Sequence, residues 1–339
     1  MAIASRCPAA IIFDKRKRQF IAVAETGHAD LLDEMEQDFQ RLLSDLDDSD
    51  NAQLTAADAI ALETLTEEDT EPYLQQVASI KQYIIDGDIF QANLSRLWQG
   101  RLRDAVADDV LFERLSSQNP SSFAAMACLG DITIISSSPE RLVSLREGIV
   151  ETRPIAGTRA RGDGKIDDEL AQELMNHPKE QAEHIMLIDL ERNDLGRVCV
   201  PGSIEVNELM VLESWQHVHH IVSNIRGKLK AECSPIDVLR AVFPGGTITG
   251  CPKVHCIEIL AEMEQQARGA YTGSLGYINN DGSMDFNILI RTLVRDRTGS
   301  AKDISFRAGG GIVSDSIAER ELEETRAKAM GLLKIFTTE

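Results

Sequence analysis

The chain has 339 residues, 43% of them hydrophobic and 27% charged, with a formal net charge of −20. This length and mixture describe a globular protein of two ordinary domains or one large one. No apolar run approaches the ~18 residues of a membrane span, the start lacks a secretory pattern, and no basic patch suits nucleic acid. The expectation is a cytoplasmic protein with neither a membrane nor a nucleic-acid partner.

Residues 9–24 alternate as a hairpin around the charged turn Asp-Lys-Arg-Lys-Arg. Residues 29–46 carry Leu31, Leu32, Met35, Phe39, Leu42, Leu43 and Leu46 at helical spacing. Between residues 30 and 71 fifteen Asp and Glu face a single Arg, so much of the acidity lies there. The acidic stretch 30–71 is read as a solvated amphipathic helix plus a linker, or as a partner-docking surface, with 47–71 a mobile connection. This divides the chain into a short N-terminal region, 1–71, and a larger domain, 72–339. Pro72 suits the first turn of a helix running to Ile84.

Strands are then expected at 89–98, 122–128, 132–136, 141–145, 148–153, 203–213, 219–228, 272–279, 285–295 and 303–308. Helices are expected at 168–176, 178–192, 234–241, 252–263 and 317–336. Many strands without a βαβ rhythm indicate an α+β fold. Six cysteines are scattered without Cys-x-x-Cys spacing, which describes reduced core thiols rather than a zinc site.

Chemistry concentrates in the last third. Phe-Pro-Gly-Gly-Thr-Ile-Thr-Gly (243–250), Asp-Phe-Asn-Ile-Leu-Ile-Arg-Thr (285–292) and Gly-Gly-Gly-Ile-Val-Ser-Asp-Ser (309–316) crowd glycine, polar and acidic residues together. Glycines let backbone N–H groups approach an anion closely, and an arginine among apolar residues suits a carboxylate held out of water. Glu180 and Glu183 share one helix face, as do Glu321 and Glu324. Each pair alone is most simply a solvated surface. Converging pairs repel unless a cation joins them, and oxygen-only ligands suit Mg²⁺. His217, His219 and His220 suggest a rival metal site, but strand alternation separates 220 from the other two. Cys251 is a candidate for contact with a ligand of the glycine loop, and Lys253 is either added charge there or a surface residue.

These segments, with Arg-Pro-Ile-Ala-Gly-Thr-Arg (153–159) and Lys-Glu-Gln-Ala-Glu-His (179–184), resemble the signature blocks of the chorismate-utilising enzymes from about residue 72 to about 336. The resemblance implies a two-layered α/β sandwich with two facing antiparallel sheets and outer helices. It implies Mg²⁺ bridging the ring carboxylate of chorismate, with Glu183 and Glu324 as direct ligands and Glu180 and Glu321 nearby or acting through water. It makes Glu140 of Ser-Pro-Glu-Arg the general acid for the leaving C4 hydroxyl. It puts His220, Gly157 and Thr158 beside the substrate ring, and Thr247 at the ring carboxylate. Tyr271, Arg291 and the N–H groups of Gly309, Gly310 and Gly311 would hold the enolpyruvyl carboxylate.

Within the family, members that add water carry a lysine where this chain has Gln91. A glutamine is no base at neutral pH, so Gln91 favours an aminating enzyme. The implied nitrogen source is ammonia, free or from a separate glutamine amidotransferase subunit. Ala156 is what anthranilate synthases carry where many aminodeoxychorismate synthases have a nucleophilic lysine. The glycine block, Gln-Ala-Asn-Leu-Ser (91–95) and Val-His-His-Ile-Val-Ser look more like aminodeoxychorismate synthases. The usual tryptophan-feedback segment is missing, and Ser122-Phe123 replaces the Pro-Tyr of anthranilate synthases. Amination at C4 is the preferred expectation and C2 the alternative. A non-catalytic homologue is the third reading, opposed by the intact acidic pairs, Glu140, His220 and Arg291.

Overall fold

The computed structural model describes residues 2–48, 60–104, 106–162, 164–214, 218–300 and 302–336. The chain divides into two compact units, Met1–Asp58 and Ala59–Glu339. In the first, β1 (Ala9–Asp14) and β2 (Gln19–Ala24) form the expected antiparallel hairpin, followed by helix α1 (Asp30–Asp48). Phe20 stacks on Phe13 across the hairpin at 4.6 Å and meets Phe39 of α1 at 4.8 Å.

The second unit begins with β3 (Leu62–Glu67), helix α2 (Thr70–Ile85), β4 (Gln91–Leu102) and helix α3 (Asp108–Gln118). Strands β5 (Phe123–Leu129), β6 (Ile132–Ser138), β7 (Arg141–Arg146), β8 (Ile149–Thr152) and β9 (Ile155–Ala160) follow. Helices α4 (Lys165–Asn176) and α5 (Pro178–Gly196) precede the hairpin β10 (Glu205–Ser214) and β11 (Val218–Lys228). Helix α6 (Pro235–Val242) leads through the turn Gly246–Ile248 and β12 (Gly250–Cys251) to helix α7 (Lys253–Glu264). The chain closes with β13 (Gly276–Ile278), β14 (Met284–Asn287), β15 (Thr292–Asp296), β16 (Asp303–Ile312) and helix α8 (Ala318–Leu333).

Two seven-stranded sheets result, antiparallel throughout, in the α+β arrangement expected. One runs β12-β4-β16-β15-β6-β5, with β3 also on β4; the other runs β10-β11-β8-β7-β14-β13, with β9 also on β11. Helices α3 and α8 seal one apolar cluster over the first sheet around Trp98, Leu115, Leu293, Phe306 and Leu332. Helices α2 and α7 seal a second through Tyr73, Val77, Ile259 and Leu260. Helices α5 and α6 cover the other sheet through Ile188, Leu195, Val238 and Val242.

Three sequence expectations are corrected. Residues 62–67 are not connection: β3 pairs with β4 from Leu62↔Leu102 to Glu67↔Trp98, so the boundary falls at Asp58 rather than after residue 71. Its backbone completes a sheet edge while most of its side chains face water, which hid it from a hydrophobicity pattern. Residues 285–295 are not one strand. β14 pairs with β7 in one sheet and β15 with β6 in the other, and the chain crosses between them at 288–291. Among the cysteines, Cys199 and Cys256 are buried but Cys7 and Cys128 are exposed.

Leu293 is fully buried at the centre of β15. Truncating Leu293→Ala removes packed volume the sheet cannot collapse to fill, so unfolding free energy should fall by about 2–5 kcal/mol in urea titration. A loss under about 1 kcal/mol would show that this cluster is not tightly packed.

Candidate active site

The chain passes from one sheet to the other twice in adjacent segments, and each crossover carries a charged residue. β6 ends at Ser138 and β7 begins at Arg141, with Glu140 between them; β14 ends at Asn287 and β15 begins at Thr292, with Arg291 between them. The crossovers are tied by backbone bonds from Ser137 N to Arg291 O (3.1 Å) and from Ile288 N to Glu140 O (3.0 Å). The Ser138 hydroxyl donates to Ile288 O at 2.5 Å. Arg291 adopts a left-handed φ of 49°, uncommon for a side-chain-bearing residue and held here by these neighbours.

Glu140 is 7% exposed. Its carboxylate accepts a hydrogen bond from the Thr247 hydroxyl at 2.8 Å. Burial pushes its pKa up to about 7, while the Thr247 bond and the charges of Lys328 and Arg291 pull the other way. Burial likewise lowers the pKa of Arg291. Thr247 rides on the turn Gly246–Ile248, which packs tightly on its surroundings. A Cβ on Gly245 would stand 2.9 Å from Ile288, and one on Gly246 2.4 Å from Leu190 of α5.

The glycine run lies at the end of β16, where β4 still pairs but β15 has not begun. Gly309, Gly310 and Gly311 stand opposite Ser95, Leu94 and Asn93. All three are crowded, Gly309 and Gly311 on one face of the strand and Gly310 on the other. A Cβ on Gly309 would meet the Tyr271 hydroxyl at 2.6 Å, and one on Gly311 the Gln91 amide at 2.2 Å. One on Gly310 would lie 3.3 Å from Glu324 and 3.4 Å from Glu321. The glycines thus admit Tyr271, Gln91 and the α8 carboxylates to one stretch of backbone. Tyr271 is buried, its phenol pushed up to about 12 by burial, and it donates to Asn93 Oδ1 at 3.4 Å.

The second sheet contributes His220 and Gly157, with the backbone of Thr158 beside them. His220 is buried on β11, where it pairs with Thr158 of β9, and its Nδ1 lies 3.4 Å from Gly157 O. Burial holds its pKa below the usual range. Gly157, at φ 62°, makes room for Glu180, whose Oε2 would be 2.9 Å from a Cβ there. Glu180 also faces Arg159 at 3.4 Å. His219 points elsewhere, between Ser214 (2.7 Å) and Asp167 (2.8 Å), which separates it from His220. His217 lies outside the described residues.

Among the described residues, no three His, Cys, Asp or Glu side chains form a ready metal cage. The carboxylates of Glu321 and Glu324 nevertheless converge over Gly310. Glu183 sits half-buried on α5. Carboxylate oxygens of this kind are what Mg²⁺ takes, since it keeps several waters and needs few protein ligands.

Four residues with a place in this geometry were absent from the sequence-derived set. Lys328 bonds Glu324 at 2.8 Å and Gly309 O at 2.9 Å; its spacing of four from Glu324 was the available signal. Asn119 accepts from Arg291 at 3.4 Å, a contact across the fold with no local signal. Glu191 of α5 is 5% exposed, and burial, Asp194 and Glu140 raise its carboxyl to about 8 against the pull of Lys253. Asp194 is buried and pairs with Lys253 at 2.5 Å, so Lys253 is neither a surface residue nor a free charge at the glycine loop.

The sequence matches the chorismate binding enzyme family over residues 2–334. The chain belongs to that family. The match includes the N-terminal region, where sequence reading found no resemblance. The chain is 47% identical over 273 residues to anthranilate synthase component 1 of Synechocystis sp., covering 78% of this chain and 53% of that protein. It is also 47% identical over 261 residues to aminodeoxychorismate synthase component 1 of Bacillus subtilis, covering 77% and 54%. It therefore spans about half the length of the curated relatives it matches. The crystal structure of anthranilate synthase component I from Streptococcus pneumoniae aligns with a TM-score of 0.82 at 32% identity, covering 95% of this chain and 71% of that one. The fold is that of the chorismate-utilising enzymes. No helix among the described residues is long and apolar enough to cross a membrane.

Glu191 generates a stability prediction. Its carboxyl is raised from 4.5 to about 8, so the folded state holds a proton that the unfolded chain releases from about pH 4.5 upward. Stability from this group is full below the unfolded value and is lost as pH rises towards 8. Glu191→Gln should stabilise the protein relative to the parent more at pH 8.5 than at pH 5.5 in urea unfolding. Equal differences at both pH values would contradict the raised carboxyl.

Proposed function

We propose that this chain is the synthase component of a chorismate-aminating system, preferentially one forming 4-amino-4-deoxychorismate. The observation that carries the reading is the buried carboxyl of Glu140, hydrogen-bonded by Thr247 beside Arg291 and Lys328. An acid that is half-protonated near neutrality, flanked by cations, suits an anionic substrate that must lose a hydroxyl.

In this reading Arg291, Tyr271 and the edge N–H groups of Gly309–Gly311 hold the enolpyruvyl carboxylate. Thr247, Gly157, Thr158 and His220 line the ring. Glu183 and Glu324 would hold Mg²⁺, with Glu180 and Glu321 behind them. Bound there, the ion would neutralise the ring carboxylate and orient it. Glu140 gives its proton to the C4 hydroxyl as the C–O bond breaks and water departs, and ammonia supplies the new C–N bond. Gln91, against Gly311, offers no base to activate water, so the pocket favours ammonia. Ala156 offers no nucleophile, so the ring forms no bond to the protein there. Ammonia comes from solution or from a separate glutamine amidotransferase.

Nitrogen addition at C2, with later loss of pyruvate to give anthranilate, is the second reading. Ala156 and the relatives named as anthranilate synthases favour it. Incubation with chorismate, Mg²⁺ and ammonium, followed by mass and fluorescence analysis, separates the two. Anthranilate as the main product would replace the first reading with the second, and isochorismate would remove amination altogether.

Three outcomes follow for this site. Chelation, Glu183→Ala and Glu324→Ala should each abolish turnover without unfolding the protein; full activity in excess chelator would overturn the metal assignment. Glu140→Gln should lower kcat by about 10²–10⁴-fold, and the parent rate should fall as pH rises through about 7, where the acid loses its proton. Gln91→Lys should raise water addition, read as isochorismate, because a buried lysine with a lowered pKa can act as a base.

A further inference from the structure

Arg268 lies behind the site, and its guanidinium reaches three separate stretches of chain. Nε donates to Glu264 Oε2 at 2.8 Å and Nη2 to Glu264 Oε1 at 2.8 Å, a two-pronged pair. Nη1 donates to Ile248 O at 3.1 Å, at the end of the turn that carries Thr247. Nη2 also donates to Asn93 O at 2.5 Å on β4, two residues beyond Gln91. Its plane stands 5.7 Å over the ring of Tyr271, and Tyr271 N donates to Arg268 O at 3.1 Å.

The clamp is itself anchored. Glu264 is 5% exposed and accepts from Ser95 N at 3.0 Å and Ser95 Oγ at 2.7 Å. Arg307 donates to the same hydroxyl at 2.9 Å. Glu264 is therefore fixed to β4, and Arg268 is fixed to Glu264. From that position it sets the Thr247 turn, the Asn93 backbone and the Tyr271 ring relative to one another. The backbone ties the end of the turn to β4, since Asn93 N donates to Thr249 O at 2.9 Å and β12 pairs with β4; Arg268 adds the side-chain tie that reaches Ile248 O and the Tyr271 ring together.

We infer that Arg268 is a positioning residue that registers the Thr247 turn against β4, and so keeps the Thr247 hydroxyl on Glu140. The inference rests on the reading of Glu140 as the acid of the site. The fork is essential. A lysine would neutralise Glu264 but offers a single ammonium, which cannot serve Glu264, Ile248 and Asn93 in these directions at once. The turn would then drift and the Thr247 hydrogen bond would lengthen. That bond lowers the Glu140 pKa, so weakening it should raise the midpoint. The other groups acting on Glu140 are Arg291 and Lys328, which lower its pKa; Glu191 and Tyr271 are also within its electrostatic reach.

The test reads Glu140 directly, without turnover. Glutamate labelled with ¹³C at the carboxyl carbon is titrated by NMR in the ligand-free protein, with Glu140→Gln identifying its signal. Arg268→Lys should raise the Glu140 midpoint by roughly half to one pH unit, the size of one net hydrogen bond. Thr247→Val should do the same, and the double variant should show no further rise. An unchanged midpoint in folded Arg268→Lys, or shifts that add in the double variant, would overturn the inference. Should Arg268→Lys fail to fold, Glu264→Gln weakens the same clamp while keeping an acceptor for Ser95. It should move the midpoint in the same direction, and no movement would again overturn the inference. Steady-state assays with chorismate and ammonium are run in parallel. Absence of turnover in the parent protein would defeat the proposed function and leave the NMR result to decide the positioning role.

Discussion

A carboxyl withdrawn from water beside two cations is the interaction on which the site depends. Burial favours the protonated form of Glu140, and the charges of Arg291 and Lys328 favour the ionised one. Their opposition, with the Thr247 hydroxyl, leaves the acid near 7. Small displacements matter under such a balance, because in a poorly solvated pocket each interaction is stronger than in water. The protein therefore has to hold Glu140, Arg291 and Thr247 to tight mutual geometry, and the fold is arranged to do so.

It does this by placing the first two where the chain changes sheets. A strand interior is constrained by its ladder but points its side chains only above or below one sheet. A crossover can aim a side chain into the junction, at the cost of an uncommon backbone conformation such as that of Arg291. Paired crossovers share their hydrogen bonds, so each supplies the partners the other lacks. The Gly245–Gly246 turn then closes against Ile288 and Leu190, a packing that any side chain at either glycine would push apart.

Much of the scaffold was legible in the sequence, because the hairpin β1–β2 and helix α1 carry strong local patterns and Pro178 marks the start of α5. What escaped was set by distant partners. β3 is mostly exposed and acidic, and it is a strand because β4 offers a free edge. Residues 285–295 contain neither glycine nor proline, so no local turn signal marks the place where the chain leaves one sheet for the other. The acidic pairs, Glu140 and Arg291 stood out by residue type and setting. Asn119 and Arg268 did not, since their value lies in what they touch across the fold.

The same division of labour bears on the proposed choice between amination at C4 and at C2. The acid and the arginine sit on the crossovers, but the two residues that speak to reaction type do not. Gln91 opens β4, against Gly311, while Ala156 lies on β9, paired with Ile221 in the other sheet. Substitution at a strand position changes one side chain on one wall and leaves the crossover hydrogen bonds intact. Relatives bearing both synthase names at 47% identity fit that separation. Under the proposed function, reaction type would then be decided by wall residues such as Gln91 and Ala156 around the crossover pair Glu140 and Arg291, with no change needed at the crossovers themselves.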